Sequence, residues 1–165
     1  MPAYSFQERF VPWVLDGSKA QTIRKRRVKG FAKKDDTLYL YYGLRTKYTK
    51  KLREEKCSNA VSVIITNEKV YLCSSLLASN EIEWYTRRCS KDEYQFLIWC
   101  NHSDYNGNPC YFRRISSTEA NDIAWEDGFR PESKKDAFDL MLRFWKQTHK
   151  LPFVGDIIYW NPSIK

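Results

Sequence analysis

A lysine and a threonine stand three residues apart, as Lys19 and Thr22, in the basic segment GSKAQTIRKRR. A lysine that is buried among other cations loses its proton more readily, because burial and like charge both disfavour the ammonium form. A neutral lysine can take the hydroxyl proton of a threonine and make the threonine a nucleophile. Residues at this spacing in a loop can touch but need not. The segment therefore predicts either covalent chemistry or, with its arginines, a binding site for phosphate.

Phosphate binding is the simpler interpretation, since arginine forms bidentate hydrogen bonds with phosphate oxygens. The net charge is +8, and the segment from Lys19 to Lys56 holds 14 Lys and Arg against 4 Asp and Glu. A positive excess confined to one region is typical of a contact with a nucleic-acid backbone, although a solvated basic face has the same composition. The predicted phosphate-binding residues are Lys19, Arg24, Lys25, Arg26, Arg27, Arg45 and Lys47.

Other common catalytic arrangements are missing from the sequence. It has no glycine-rich phosphate loop, no G-x-S-x-G elbow and no H-E-x-x-H motif. His102 and His149 are the only histidines, and each fits an ordinary surface or capping position. Cys57 follows a lysine but has no histidine near it in sequence, so a buried, unreactive thiol is expected. We predict no metal site and no cofactor.

Length and composition indicate one globular domain spanning residues 1–165. A chain of 165 residues can bury a core, and 42% hydrophobic with 16% aromatic residues excludes a disordered chain. No stretch approaches the roughly 18 apolar residues of a membrane span, and the first residues do not resemble a signal peptide. Five cysteines form no C-x-x-C pair, which favours reduced thiols. These features predict a soluble, cytoplasmic protein with no membrane contact.

The elements that position Lys19 and Thr22 are predicted from hydrophobic periodicity. Phe10, Trp13 and Val14 have helical spacing, and Gly17 stands where a left-handed cap ends a helix. The basic segment is therefore predicted to be a loop that leaves this helix end. TLYLYYG is typical of a strand, RTKYTKKLREEKC of a loop or short helix, and NAVSVIITNE followed by KVYLCSS of a hairpin.

The second half of the chain combines a predicted hairpin with two helices. The Asn-Gly turn of NHSDYNGN predicts a hairpin between YQFLIWC and PCYFRRI. SSTEANDIAWEDG has the caps of a helix that ends at Gly128, and GDIIYW is predicted as a final strand. Since strands and helices do not alternate, the fold class is α+β around a mixed or antiparallel sheet, open or closed into a small barrel. A second helix is predicted from the spacing of Phe138, Met141, Leu142 and Trp145.

The segment FQERFVPWVLDGSKAQTIR resembles the opening of the ASCH domain family, whose hallmark is G-x-K-x-x-T-I-R after a first helix. The matching residues are Gly17, Lys19, Thr22, Ile23 and Arg24. IAWEDGF resembles the second hallmark, A-x-x-E-G-F, at Ala124, Asp127, Gly128 and Phe129. KKDDTLYLYYGLRTK and FVGDIIYW are weaker matches. The likeness covers about residues 4–66 and 116–160, and the stretch of about 67–115 is predicted to be an insertion.

The resemblance implies a mixed β-barrel similar to the PUA fold, with two or three flanking helices and a cleft that binds RNA, a nucleotide or a modified nucleoside. One bacterial branch of the family is similar to N4-acetylcytidine amidohydrolases, and its catalytic positions correspond here to Lys19, Thr22 and Asp127. The last position departs from the family, because aspartate is one methylene shorter than glutamate. Its neighbour Glu126 is expected to point elsewhere, since adjacent helical residues do not share a face.

Several functions remain open at this point. The first is an RNA- or nucleotide-binding module in which exposed tyrosines stack on unpaired bases. The second is an amidohydrolase in which Thr22 attacks an amide, and the third is a ribonuclease that uses lysine and a carboxylate. A protein-interaction domain is the non-enzymatic alternative. The candidate stacking residues, of which two are expected to be strand or core residues instead, are Tyr39, Tyr41, Tyr42 and Tyr48.

Overall fold

In the computed structural model, residues 2–25, 31–73, 102–103, 109–110 and 112–160 are described. The strands are β1 (Ala3–Phe6), β2 (Gln21–Lys25), β3 (Thr37–Tyr42), β4 (Lys50–Ile65), β5 (Val70–Cys73), β6 (His102–Ser103), β7 (Pro109–Cys110), β8 (Phe112–Arg114) and β9 (Phe153–Trp160). The helices are α1 (Val11–Leu15), α2 (Ser117–Glu126) and α3 (Ala137–Thr148). Single 3-10 turns at Glu8–Phe10 and Lys134–Asp136 lead into α1 and α3.

Seven of the strands build one mixed sheet. Its order is β1-β3-β4-β5-β8, with β9 paired to β4 and β2 paired to β9. β1 and β3 are parallel, whereas the other described pairs are antiparallel. The α+β class, the mixed sheet and the three helices are therefore confirmed. The implied closed barrel is corrected: within the described residues no pairing joins the edge strands β1, β2 and β8, so the sheet stays mostly open.

β4 connects the two parts of this sheet. Its first residues pair with β3, and residues 57–65 pair with β9. The prediction of a loop or short helix for residues 50–57 is wrong, because this stretch is a strand. Glu55 and Cys57 point inward between exposed neighbours, and Arg53 Nε donates to Glu55 Oε1 at 2.5 Å. This alternation of buried and exposed residues is not evident from the sequence, because charged residues occupy both kinds of position.

The basic segment differs from its prediction in a similar way. It is predicted to be a loop, but its residues 21–25 form β2, which pairs with β9 from Gln21↔Tyr159 to Lys25↔Gly155. Thr22 and Ile23 are β-branched and buried, which favours a strand inside a sheet over an exposed loop.

The end of α1 and both ends of α2 lie where their caps predict. Gly17, with a φ of 80°, follows the end of α1, and Gly128, with a φ of 95°, follows the end of α2. Ser116 and Glu119 form a capping box that satisfies backbone donors at the start of α2. Phe138 of α3 is half-buried, and the residues that α3 buries in the core are Ala137, Met141, Leu142 and Trp145.

The stretch predicted as an insertion adds strands to the main sheet where it is described. β5 pairs with β4 across a turn closed by Thr66 N and Lys69 O at 2.8 Å, which confirms the first hairpin. β8 pairs with β5, and β6 pairs with β7 around the predicted Asn-Gly turn. The segment YQFLIWC lies outside the described residues. In the part of the chain that the structure describes, no helix has the length and apolarity needed to cross a membrane.

Candidate functional site

The end of α1 turns the chain back so that Lys19 enters the interior. After the left-handed Gly17, the Lys19 backbone N–H donates to Trp13 O at 2.9 Å. β2 begins two residues later, and the Gln21 side chain donates to Ile123 O at 2.8 Å, which ties β2 to α2. The segments that carry the two sequence hallmarks are therefore in direct contact.

Lys19 and Asp127 form a buried ion pair. Lys19 Nζ lies 2.8 Å from Asp127 Oδ1 and also donates to the backbone carbonyl of Asp127. The Ile23 backbone N–H donates to the same Oδ1 at 3.1 Å. The shorter carboxylate of aspartate therefore reaches the lysine, because the backbone of Asp127 itself comes close enough to accept a hydrogen bond from Nζ.

Burial dominates the electrostatics of this pair. Lys19 is 1% exposed and Asp127 is 5% exposed. Burial lowers the pKa of Lys19 to about 8, although the negative charge of Asp127 acts in the opposite direction. Burial also raises the pKa of Asp127, against the effect of the Lys19 charge. The lowered pKa makes the neutral form of Lys19 more accessible near neutral pH than it is for an exposed lysine.

The end of α2 positions Asp127. Its backbone N–H donates to Ile123 O at 2.9 Å, and the chain then leaves the helix through Gly128 with a φ of 95°. A Cβ atom on Gly128 would lie 2.8 Å from Phe10 Cδ1, so the close approach of the Phe10 ring also favours glycine there. Glu126 is exposed and does not line the cleft described below, as expected for a neighbour on another face.

Lys19, Thr22 and Asp127 line one cleft of about 410 Å³. Thr22 is 3% exposed, and its hydroxyl forms no hydrogen bond with any other described residue. Lys19 and Thr22 are therefore not hydrogen-bonded to each other, although they share the cleft. Its lining residues are Ser5, Phe6, Gln7, Phe10, Lys19, Thr22, Ile23, Arg24, Lys25, Asp127, Phe129, Phe144, Trp145, Thr148 and His149.

In comparisons with protein-family models, curated proteins and solved structures, no significant match to the chain was found. The ASCH relation implied by the two hallmarks therefore stays a prediction. In the structure, Lys19 of the first hallmark and Asp127 of the second form an ion pair, although they lie 108 residues apart in sequence.

An aromatic cluster forms one wall of the cleft. Phe129 packs against Phe10 and Phe144, with ring centroids 5.9 and 5.4 Å apart. The guanidinium of Arg9 lies over all three rings, at 4.4 Å from Phe10, 5.1 Å from Phe129 and 4.6 Å from Phe144. Lys19 Nζ lies 5.1 Å from the centroid of Phe10, so the cationic and aromatic groups of the site are interleaved.

The predicted phosphate-binding residues separate into three groups. Lys19, Arg24 and Lys25 line the cleft, and Arg24 also donates to Ser5 O at 2.8 Å. Arg26 and Arg27 lie outside the described residues. Arg45 and Lys47 are exposed on the connection between β3 and β4, outside the lining of the cleft.

Several cleft residues are missed by the sequence interpretation. His149 lines the cleft and stacks on Trp145, with ring centroids 4.6 Å apart. It is exposed and caps the C-terminal end of α3, which confirms the predicted surface or capping position. Burial lowers its pKa, and the charge of Lys25 acts in the same direction. The helical spacing of α3 marks Trp145 as a core residue but does not show that the last turn of the helix borders a cleft.

Two further expectations concern metals and thiols. Among the residues that the structure describes, no three His, Cys, Asp or Glu side chains are grouped closely enough to hold a metal ion. Cys57 is buried, and burial raises the pKa of its thiol to about 11. This agrees with an unreactive thiol, because the reactive species is the thiolate.

Proposed function

We propose that the cleft binds a nucleotide unit of RNA. The observation that carries this proposal is its lining, which combines aromatic rings with cationic side chains in about 410 Å³. Proteins bind unpaired bases by stacking them on aromatic side chains and bind the attached phosphates with Lys and Arg. Phe10, Phe129 and Phe144 supply aromatic edges to the cleft with the Arg9 guanidinium over their rings, and Arg24 with Lys25 provides further positive charge.

We also propose that the chain is an ASCH-type domain related to the PUA fold. The support is the contact between residues of both hallmarks, Lys19 from the first and Asp127 from the second. The open sheet differs from the closed barrel of that fold, so the relation is proposed from the cleft and its residues.

Binding is tested with single-stranded RNA at low salt. We expect affinity to fall as salt rises, because each neutralised phosphate of a single strand contributes about 0.7 to the slope of log K against log salt. Lys25→Gln should lower that slope by about 0.7, whereas Lys135→Gln, an exposed lysine outside the cleft, should not change it. Undetectable binding, or binding that salt does not weaken, would contradict the proposal.

Hydrolysis of an acylated nucleoside is a second candidate, favoured by the Lys19–Asp127 ion pair. In this reaction neutral Lys19 takes the proton of the Thr22 hydroxyl as Oγ1 bonds to the amide carbonyl carbon. The C–N bond breaks, the leaving nitrogen takes the proton from Lys19, and water hydrolyses the ester on Thr22. Asp127 orients Lys19, and Arg24 stabilises the developing oxyanion.

The contact between Lys19 and Thr22 that this reaction needs is not formed in the structure. Lys19 Nζ is directed at Asp127, 2.8 Å away, so it must turn toward Thr22 or act through one water molecule. Catalytic hydrogen bonds are often incomplete before substrate binds. The base must be neutral, and the pKa of Lys19 is about 8, so activity should rise with pH and level off above about 8.

Incubation with N4-acetylcytidine, followed by chromatography for cytidine, tests this candidate. Thr22→Val should abolish turnover, Thr22→Ser should keep part of it, and Thr118→Val, an exposed position on α2, should leave it unchanged. Absence of turnover by the wild type, or turnover that survives Lys19→Ala, would refute the amidohydrolase.

A further inference from the structure

The connection between β3 and β4, here called the 43–49 loop, is closed by hydrogen bonds among its own residues. The Gly43 carbonyl accepts hydrogen bonds from the Thr46 backbone N–H at 3.0 Å, from Thr46 Oγ1 at 2.7 Å and from Thr49 Oγ1 at 2.9 Å. Gly43 and Arg45 have φ values of 58° and 72°. A loop that is held by its own side chains needs little ordering when a ligand binds, so it presents its exposed groups in a fixed arrangement.

The groups that this loop presents are one aromatic ring and several cations. Tyr48 is 66% exposed, and Lys47 Nζ lies 5.0 Å from the centroid of its ring. Arg45, Lys47 and Lys50 are exposed, and no described carboxylate forms an ion pair with them. By contrast, Tyr39, Tyr41 and Tyr42 are half-buried in β3, so three of the four candidate stacking residues are strand residues and not two.

The 43–49 loop is attached to the edge of the cleft. The Leu44 backbone N–H donates to Ser5 Oγ at 3.1 Å, and Ser5 lines the cleft. The Tyr48 backbone lies near this attachment, because a Cβ atom built on Gly43 would lie 3.2 Å from the Tyr48 carbonyl oxygen. The loop that carries the exposed ring and its cations is thus held at the end of β1 that borders the cleft.

We propose that the 43–49 loop is a second stacking site for single-stranded RNA, with Tyr48 under one base and Arg45 and Lys47 on its phosphates. This inference rests on the proposed binding of a nucleotide unit in the cleft and names the partner more closely. A free mononucleotide occupies only the cleft, whereas an RNA strand of several nucleotides occupies both the cleft and the 43–49 loop. The charge of the loop is complementary to phosphate, and every base offers a face that tyrosine can stack on.

The test compares a fluorescein-labelled ten-nucleotide oligocytidine, measured by fluorescence anisotropy, with CMP, measured by calorimetry. The wild type should bind the oligonucleotide at least about tenfold more tightly than CMP. Tyr48→Ala should weaken oligonucleotide binding by about tenfold, a typical loss for one stacked base, and leave CMP binding unchanged. Tyr48→Phe keeps the ring and should behave as the wild type. Arg45→Gln combined with Lys47→Gln should lower the salt slope for the oligonucleotide by about 1.4.

The other possible outcomes contradict either the second stacking site or the proposed binding in the cleft. If CMP binds but Tyr48→Ala does not change oligonucleotide affinity, or if the wild type binds both equally, the second site is refuted while the cleft proposal stands. If Tyr48→Ala weakens both ligands equally, the loop does not act as a separate site and the inference fails. If neither ligand binds to the wild type, the proposed function fails and the inference fails with it.

Discussion

Replacing Asp127 by asparagine isolates the buried ion pair, because the side chain keeps its size and loses its charge. Lys19 would remain 1% exposed, with its ammonium facing a neutral amide in place of a carboxylate 2.8 Å away. Removing one partner of a buried ion pair typically costs about 3–5 kcal/mol, since the remaining charge stays buried without compensation.

Proton release limits this cost. Because the folded pKa of Lys19 is about 8, its proton stabilises the folded wild type at pH 7 by only about 1–2 kcal/mol, at about 1.36 kcal/mol per pH unit. A buried lysine that becomes more unstable than this loses its proton instead. We therefore expect Asp127→Asn to lower the free energy of unfolding by about 1–2 kcal/mol at pH 7, and by more at lower pH.

The direction in which the free energy of unfolding changes with pH follows from the pKa of Lys19 in each protein. In the wild type the pKa of Lys19 is lowered to about 8 in the folded state, so below pH 7 the lysine is mostly protonated both folded and unfolded. Its contribution to stability is then constant with pH. In Asp127→Asn the raising effect of the carboxylate is lost, so the folded pKa of Lys19 is lower still and the folded state releases the proton at a lower pH than the wild type does. Stability of the variant should therefore rise with pH by up to about 1.4 kcal/mol per unit more than that of the wild type.

Urea unfolding followed by tryptophan fluorescence at several pH values measures both quantities. The matched control is Asp122→Asn, which breaks a surface pair with Lys134 at 2.7 Å, where the side chains are 45% and 51% exposed. This control should cost less than about 1 kcal/mol. Adding Lys19→Met to Asp127→Asn removes the buried charge and should restore part of the lost stability. A loss below about 1 kcal/mol in Asp127→Asn with the wild-type pH slope would refute the reasoning.

Three further predictions concern the surrounding fold. A Cβ atom at Gly155 would lie 2.3 Å from Arg24 O, so Gly155→Ala should lower the free energy of urea unfolding by about 3 kcal/mol; a change within about 0.5 kcal/mol would contradict this close approach. Ser116→Ala removes the cap of α2 and should cost about 1 kcal/mol in thermal unfolding, whereas the exposed Ser117→Ala should cost much less. Because the pKa of Cys57 is raised to about 11, its peptide should be alkylated slowly at pH 8 in the folded protein and quickly in urea, as read by mass spectrometry. Equal alkylation rates in both states would show that the thiol is not protected.

Local patterns predicted the elements whose signals lie within a few residues. Gly17 and Gly128 take the left-handed conformation that ends α1 and α2, and Ser116 caps α2 as its type indicates. The resemblance named Lys19 and Asp127 as partners, and the structure brings them together. That contact joins residues 108 positions apart, so no spacing rule within the sequence alone could have produced it.

Features that depend on tertiary pairing were not predicted. The charged stretch of residues 50–57 is a strand because β3 pairs with it along its length, and polar alternation is a weak signal when both faces carry charge. The sequence placed His149 at the surface, where it lies, but did not place it at the cleft, because its ring contacts with Trp145 and Phe153 exist only in the folded chain. Whether the sheet is open or closed likewise depends on which strands lie at its edges. The hydrophobic periodicity of the sequence does not contain that information.

The pairing of β2 sets the order in which this site can be assembled during synthesis. β2 carries Thr22, and among the described strands it pairs with β9 alone, which begins at Phe153. The ribosome therefore releases more than a hundred residues between the two strands, and during that time β2 has no partner in the sheet. The cleft therefore cannot be completed until β9 has been synthesised, and a nascent chain that already displays most of its positive charge still lacks the strand that pairs with β2.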